Sequence, residues 1–85
     1  MRFMVESTST HALTDDLLAL VPAETARGQE LDAQGLRHAF YLAADWSKGW
    51  QIFEADSVEE VQRALESLPL AQVTHNTITP LAEQP

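Results

Sequence analysis

The sequence predicts an α+β fold: an antiparallel sheet of four strands with two helices on one face, in the order βαββαβ. Three observations carry it. Ser57 is a helix N-cap, Glu60 completes its capping box, and Val58, Val61, Leu65 and Leu68 recur at helical spacing. Residues 36–43 and 50–55 are apolar-rich runs joined by Asp45-Trp46-Ser47-Lys48-Gly49, the pattern of a hairpin. Two further extended runs, residues 1–7 and 74–79, stand before the first helix and after the last.

Each element has a local cause. Met1-Arg2-Phe3-Met4-Val5-Glu6-Ser7 is a short apolar run suited to a buried strand. Thr14 caps a short helix over residues 15–20, with Asp15 and Asp16 near its positive end. Pro22 suits the first turn of a longer helix over residues 22–34 and bends its join with the short one. Gly35 ends that helix in the left-handed cap position. Pro69 stops the last helix, and the threonines and isoleucine of residues 74–79 favour a strand. Residues 83–85 read as a frayed tail. This order is the ferredoxin-like arrangement, and one sheet face is left without a helical cover. A second copy of the sheet supplies that cover, so a dimer is expected on physical grounds.

Eighty-five residues fit one domain, with a thin stability margin. No cysteine is present, which excludes disulfides and thiolate zinc sites. Thirteen acidic residues against five dispersed basic ones leave a formal charge of −8 and no basic stripe. Nucleic acid and anionic membranes are therefore poor partners. No apolar run spans a bilayer and no secretory signal opens the chain, so a soluble cytoplasmic protein is expected.

The longer helix holds the most instructive side chains. Its core-facing stripe is expected to run Leu17, Leu20, Val21, Glu24, Arg27 or Gly28, and Leu31. Glu24 and Arg27 lie three apart and can pair across one turn. Gly28 costs about 1 kcal/mol relative to alanine in a helix interior, which close approach by a ligand or the sheet would explain. Two readings stay open: a partly exposed salt bridge, or a polar pocket in which a desolvated Glu24 acts as a base. Strand alternation places His38, Phe40 and Leu42 on one face, and Arg37, Ala39, Tyr41 and Ala43 on the other. His38 is a proton-exchange candidate, and Tyr41 a donor to developing negative charge on oxygen. Trp46 and Trp50 flank the hairpin as core or dimer packing, or as an aromatic lid. His75 and Asn76 point to opposite faces of the last strand. The three histidines form no metal-ligand cluster, and no phosphate loop or nucleophile elbow is present.

Ser67-Leu68-Pro69-Leu70 and the closing Thr77-Ile78-Thr79-Pro80-Leu81 resemble the C-terminal part of muconolactone δ-isomerase-like proteins. These are small ferredoxin-like proteins whose sheets pair into dimeric α/β barrels. Glu30-Leu31-Asp32-Ala33-Gln34-Gly35, followed by His38, is similar to the family's Glu-Leu-x-x-x-Gly and His-Leu-Trp-Arg. Ile52-Phe53-Glu54-Ala55-Asp56-Ser57 is similar to its Ile-Phe-Asp-Val-x-Ser, and Glu24 falls on a family glutamate. Three segments depart. Tyr41 stands at the arginine position, Ala71-Gln72-Val73 replaces Phe-Pro-Tyr, and Trp46-Ser47-Lys48-Gly49 replaces the isomerases' Tyr-Ala-Asn. A tyrosine cannot grip a carboxylate as guanidinium does, so the resemblance implies the fold, while this departure points to a substrate other than muconolactone.

The leading expectation is a cofactor-free isomerase or cyclase-like enzyme that moves protons on a lactone, aromatic or polyketide-type molecule. Glu24 is its base and His38 its proton shuttle. Arg27, Tyr41, Trp46, Trp50 and His75 are the candidate substrate contacts; no metal or cofactor is called for. Residues 57–81 are read as scaffold. The expected partners are a small organic molecule and a second copy, or a larger homo-oligomer. A non-catalytic ligand-binding dimer is the rival, and a cofactor-independent oxygenase of the same barrel type the third reading.

Overall fold

A computed structural model describes residues 1–83. The expected frayed tail at 83–85 therefore lies mostly outside the described residues. The chain forms β1 (Arg2–Ser9), α1 (Asp15–Leu18), α2 (Val21–Ala33), β2 (Arg37–Leu42), β3 (Lys48–Glu54), α3 (Val58–Glu66) and β4 (Thr74–Pro80), with a 3-10 turn at Ala71–Val73 before the last strand. The strands order as β2-β3-β1-β4 and every neighbouring pair is antiparallel. This is the ferredoxin-like α+β arrangement.

The caps act as their sequences imply. The Thr14 hydroxyl accepts from the Leu17 N–H (3.3 Å) and the Ser57 hydroxyl from the Glu60 N–H (3.3 Å). Glu60 reaches back to the Asp56 N–H at 3.3 Å, one residue before the cap. Gly35 takes φ +78°, the left-handed value that closes α2. The short helix ends earlier than residue 20: Ala19 caps its end and Leu20 becomes the N-cap of α2. That turn takes Leu20 off the expected stripe, and it stays exposed.

Alternation along the strands separates two faces. Phe3 and Val5 of β1 and Phe53 of β3 point under the helices, where they meet Leu31 of α2 and Val61, Ala64 and Leu65 of α3. Phe3, Val5, Leu31, Phe53 and Val61 are essentially inaccessible. The opposite face carries Met4 and Glu6, Trp50 and Ile52, Ala39 and Tyr41, and Thr77 and Thr79 of β4. No described element covers it.

Two departures shape the region above the core. β3 begins at Lys48, so Gly49 lies in the strand rather than the turn. The turn is closed by the Ala43 N–H donating to the Lys48 carbonyl (2.8 Å), and Trp46 takes φ 66°. A bulky residue in the left-handed region is uncommon and strained. The second departure is a bulge in β2 between Arg37 and Ala39.

Candidate active site

The bulge decides which side chains meet. Arg37 pairs with Phe53, and Phe40 and Leu42 pair with Gln51 and Gly49 of β3, all on the helix-covered side. Simple alternation had placed Arg37 opposite Phe40; the extra residue at His38 shifts the phase by one and turns Arg37 under the helix. Its side chain is only 11% exposed. The guanidinium donates to both carboxylate oxygens of Asp32 at 2.6 and 3.2 Å, and lies 4.7 Å from the centre of the Phe40 ring.

This position explains Gly28. A Cβ there would stand 2.6 Å from Nη2 and 2.9 Å from Nη1 of Arg37, so the absent side chain is the guanidinium's berth. Gly28→Ala is expected to fold normally, because a gain of about 1 kcal/mol in helix propensity offsets the displaced arginine tip. The Arg37 side chain is expected to move, seen as a shifted Nε–H resonance, because the guanidinium can no longer lie under the helix. A thermal melt and an NMR spectrum on the same sample check the pair of outcomes.

A polar row crosses the sheet from Arg37. Its Nη1 donates to Oε1 of Gln51 (3.4 Å), the Gln51 amide donates to Ser7 Oγ (3.5 Å), and Ser7 Oγ donates to Asn76 Oδ1 (2.5 Å). All four strands contribute one member. Gln51 is the buried polar residue in this row, and it stays satisfied because its neighbours complement it.

Glu24 sits above the row on α2. Pro69 ends α3 and turns the chain so that the Leu70 N–H donates to Glu24 Oε1 at 3.1 Å. Oε2 is buried and has no hydrogen-bond partner among the described residues. Burial pushes the carboxyl above its ordinary value of 4.5, against the opposing Leu70 bond and Arg37 charge. The Asp32 carboxyl moves the other way, held below its ordinary range by Arg37.

Glu24, Arg37 and the polar row line a cavity of about 900 Å³ between α2 and the sheet. Leu13, Val21, Leu42, Leu70 and Val73 supply its apolar walls, and Trp46 stands at its border, half exposed. A volume of this order suits a small organic ligand, with a few polar groups to orient it. No group of three or more histidine, aspartate or glutamate side chains placed to hold a metal occurs among the described residues.

Of the residues singled out from sequence, Glu24, His38 and Trp46 border this cavity together. The exposed His38 ring engages the Gly35 carbonyl at 3.1 Å. Arg27 does not pair with Glu24. It bonds Ser67 (2.9 Å) and Glu30 (2.8 Å), tying α2 to the end of α3 outside the cavity. Tyr41 and Trp50 face each other across β2 and β3 on the uncovered face, and His75 lies there too, opposite Thr8. Asn76, not His75, reaches the cavity side. The closing segment is more than scaffold, since Leu70 and Asn76 both come from it. Arg37, Gln51, Ser7 and Asp32 were not singled out. Gly28 was the visible signal, a helix glycine whose neighbour had to be something large.

The sequence profile described as muconolactone delta-isomerase matches residues 1–85. Among solved structures, a crystal structure of muconolactone isomerase superposes with a TM-score of 0.84 at 24% identity, covering 100% of this chain and 92% of that one. The 5-chloro-2-hydroxyhydroquinone dehydrochlorinase TftG from Burkholderia phenoliruptrix AC1100, in complex with 2,5-dihydroxybenzoquinone, gives a TM-score of 0.78 at 19% identity, covering 99% and 96%. Protein Atu4242 from Agrobacterium tumefaciens gives 0.52 at 14% identity, covering 96% and 94%. At these identities the structural likeness establishes the fold. A comparison with curated protein sequences returns no match.

Proposed function

The chain belongs to the muconolactone delta-isomerase family, and on that premise we propose that it is an enzyme of proton transfer on a small oxygenated ring compound. The substrate class is a lactone, aromatic or polyketide-type molecule other than muconolactone. The observation that carries this reading is Glu24: a carboxylate fixed by one backbone N–H, with its other oxygen buried and unpartnered among the described residues, on the wall of a largely apolar cavity. A group so placed is a stronger base than a solvated carboxylate once ionised.

In the proposed step Glu24 takes a proton from a carbon next to a carbonyl. The C–H electrons pass to the carbonyl oxygen, and the resulting conjugated enolate is reprotonated at its far carbon by Glu24, whose proton exchanges with water. The Arg37 and Gln51 N–H groups on the cavity floor supply donors to that oxygen. This role had been expected of Tyr41, which is 66% exposed on the far face. His38, at the exposed edge, relays the proton to water. Binding of a dihydroxybenzoquinone by a structural neighbour supports a ring with two or more oxygens as ligand.

The test is deuterium incorporation. In D₂O, with a panel of lactones, cyclic enones and hydroxyquinones, NMR should show enzyme-dependent exchange at a carbon beside a carbonyl. A panel that binds and never exchanges would favour the non-catalytic reading, in which the same cavity only holds its ligand.

A second copy over the uncovered face completes the proposed dimeric barrel. Met4, Ile52, Trp50 and Ala39 give that face an apolar centre suited to such pairing. Analytical ultracentrifugation at micromolar concentration reads its mass directly, and a monomer would remove this part. No helix among the described residues is long and apolar enough to cross a membrane, and a cytoplasmic setting belongs to the same proposal.

A further inference from the structure

The cations bordering the cavity are already engaged. Lys48 pairs with Glu6 at 2.9 Å. Arg37 is gripped through two nitrogens by Asp32, donates a third contact to Gln51, and is packed beneath Gly28 and over Phe40. Glu24 lines the same cavity without pairing with Arg37, so a second carboxylate stands near a guanidinium that Asp32 already occupies. With both ionised, this group of three carries a net −1.

Such a site is unsuited to an anion. A ligand carboxylate could take Arg37 only by displacing Asp32, exchanging one bidentate pair for another while losing its own hydration. If Asp32 stayed, the incoming charge would meet Glu24 and Asp32 with no free counter-charge. An uncharged ring meets no such conflict. Its hydroxyl or carbonyl groups find the remaining guanidinium hydrogens, the Gln51 amide and Ser7.

From this arrangement we infer that the cavity selects uncharged, hydroxyl- or carbonyl-bearing rings over carboxylates, and that Asp32 is the residue that sets this preference. The inference rests on the reading of this cavity as the substrate site, and it deepens that reading by naming the charge class of the ligand. Asp32 does not touch the reacting atoms. It acts by occupying Arg37.

Two probes with the same ring isolate the charge: 2,5-dihydroxytoluene and 2,5-dihydroxybenzoate, which exchange a methyl for a carboxylate. Isothermal titration of the parent should give at least tenfold tighter binding of the toluene. Asp32→Asn frees the guanidinium, and the ratio should move at least tenfold toward the benzoate. Asp32→Glu, which can still grip Arg37, should keep the parent's preference. Melting curves confirm that each variant is folded, as expected for a half-exposed helix position. Equal affinities in the parent, an unmoved ratio in Asp32→Asn, or saturable binding of neither probe would each overturn the inference. The two proposals fail separately. A preserved preference without deuterium exchange removes the catalytic reading alone, while exchange that favours carboxylated substrates removes the Asp32 inference alone.

Discussion

Glu24→Gln is expected to lower turnover by about 10²- to 10⁴-fold while making the protein more stable at neutral pH. The substitution keeps shape and keeps an oxygen for the Leu70 N–H, so the local geometry survives. What it removes is the ionisable group. The folded chain holds the Glu24 carboxyl above its ordinary value of 4.5 because burial disfavours the charged form. The fold therefore favours the protonated state. That favourable contribution is fully present below the unfolded value and is lost as pH rises through the raised folded value. Above it, the parent carries a partly desolvated carboxylate and Glu24→Gln does not. Melting temperatures at low and mildly alkaline pH should show the variant's advantage growing with pH. Parent turnover should rise with pH along an acid limb that lies above 4.5, since the ionised form is the proposed base. Gained stability together with lost activity marks a group kept for chemistry at a structural cost. His38→Ala makes the contrast: its ring is exposed, so roughly tenfold of turnover should go with no stability gain. Unchanged turnover in Glu24→Gln would remove the proposed base.

The scaffold was legible because its signals are local. A serine followed three residues later by glutamate, a glycine after a helical run and a proline after another each act within one turn of chain. Those signals place the ends of α2 and α3, and the apolar and β-branched runs beside them place the four strands. The site was only half legible because its geometry depends on partners distant in sequence. Glu24 stood out as an acid on an apolar stripe. Arg37 did not, because its face is set by a bulge that exists only in the pairing of β2 with β3. Leu70 contributes a backbone N–H, which no side-chain pattern advertises. Trp46 shows the limit from the other side. Gly49 looked like the turn residue, yet it pairs within β3 while tryptophan takes the left-handed backbone at the cavity border. Local rules fail here at the edge of the candidate site, where strained conformations concentrate.

Phe53→Ala is expected to cost about 3–5 kcal/mol, which is most of the stability a chain of this size commands. Phe53 is fully buried in β3, flanked by Phe3 of β1 and Arg37 of β2, beneath Leu31, Val61 and Leu65. Its own strand, β3, is hydrogen-bonded on both sides, so the backbone cannot collapse into the space the ring leaves. The melting temperature should fall by roughly 15–30 °C, read in urea and thermal denaturation at one fixed protein concentration. Phe40→Ala separates ring size from burial. Phe40 is 48% exposed, and its ring lies against the guanidinium of Arg37. Losing it should cost about 1 kcal/mol and act mainly on the site, because the ring orients the arginine more than it fills the core. Equal destabilisation by the two substitutions would mean that the sheet's centre and its cavity are one cooperative unit. The expected inequality instead puts stability in the Phe53 layer, leaving the Arg37 layer above it free to serve the ligand.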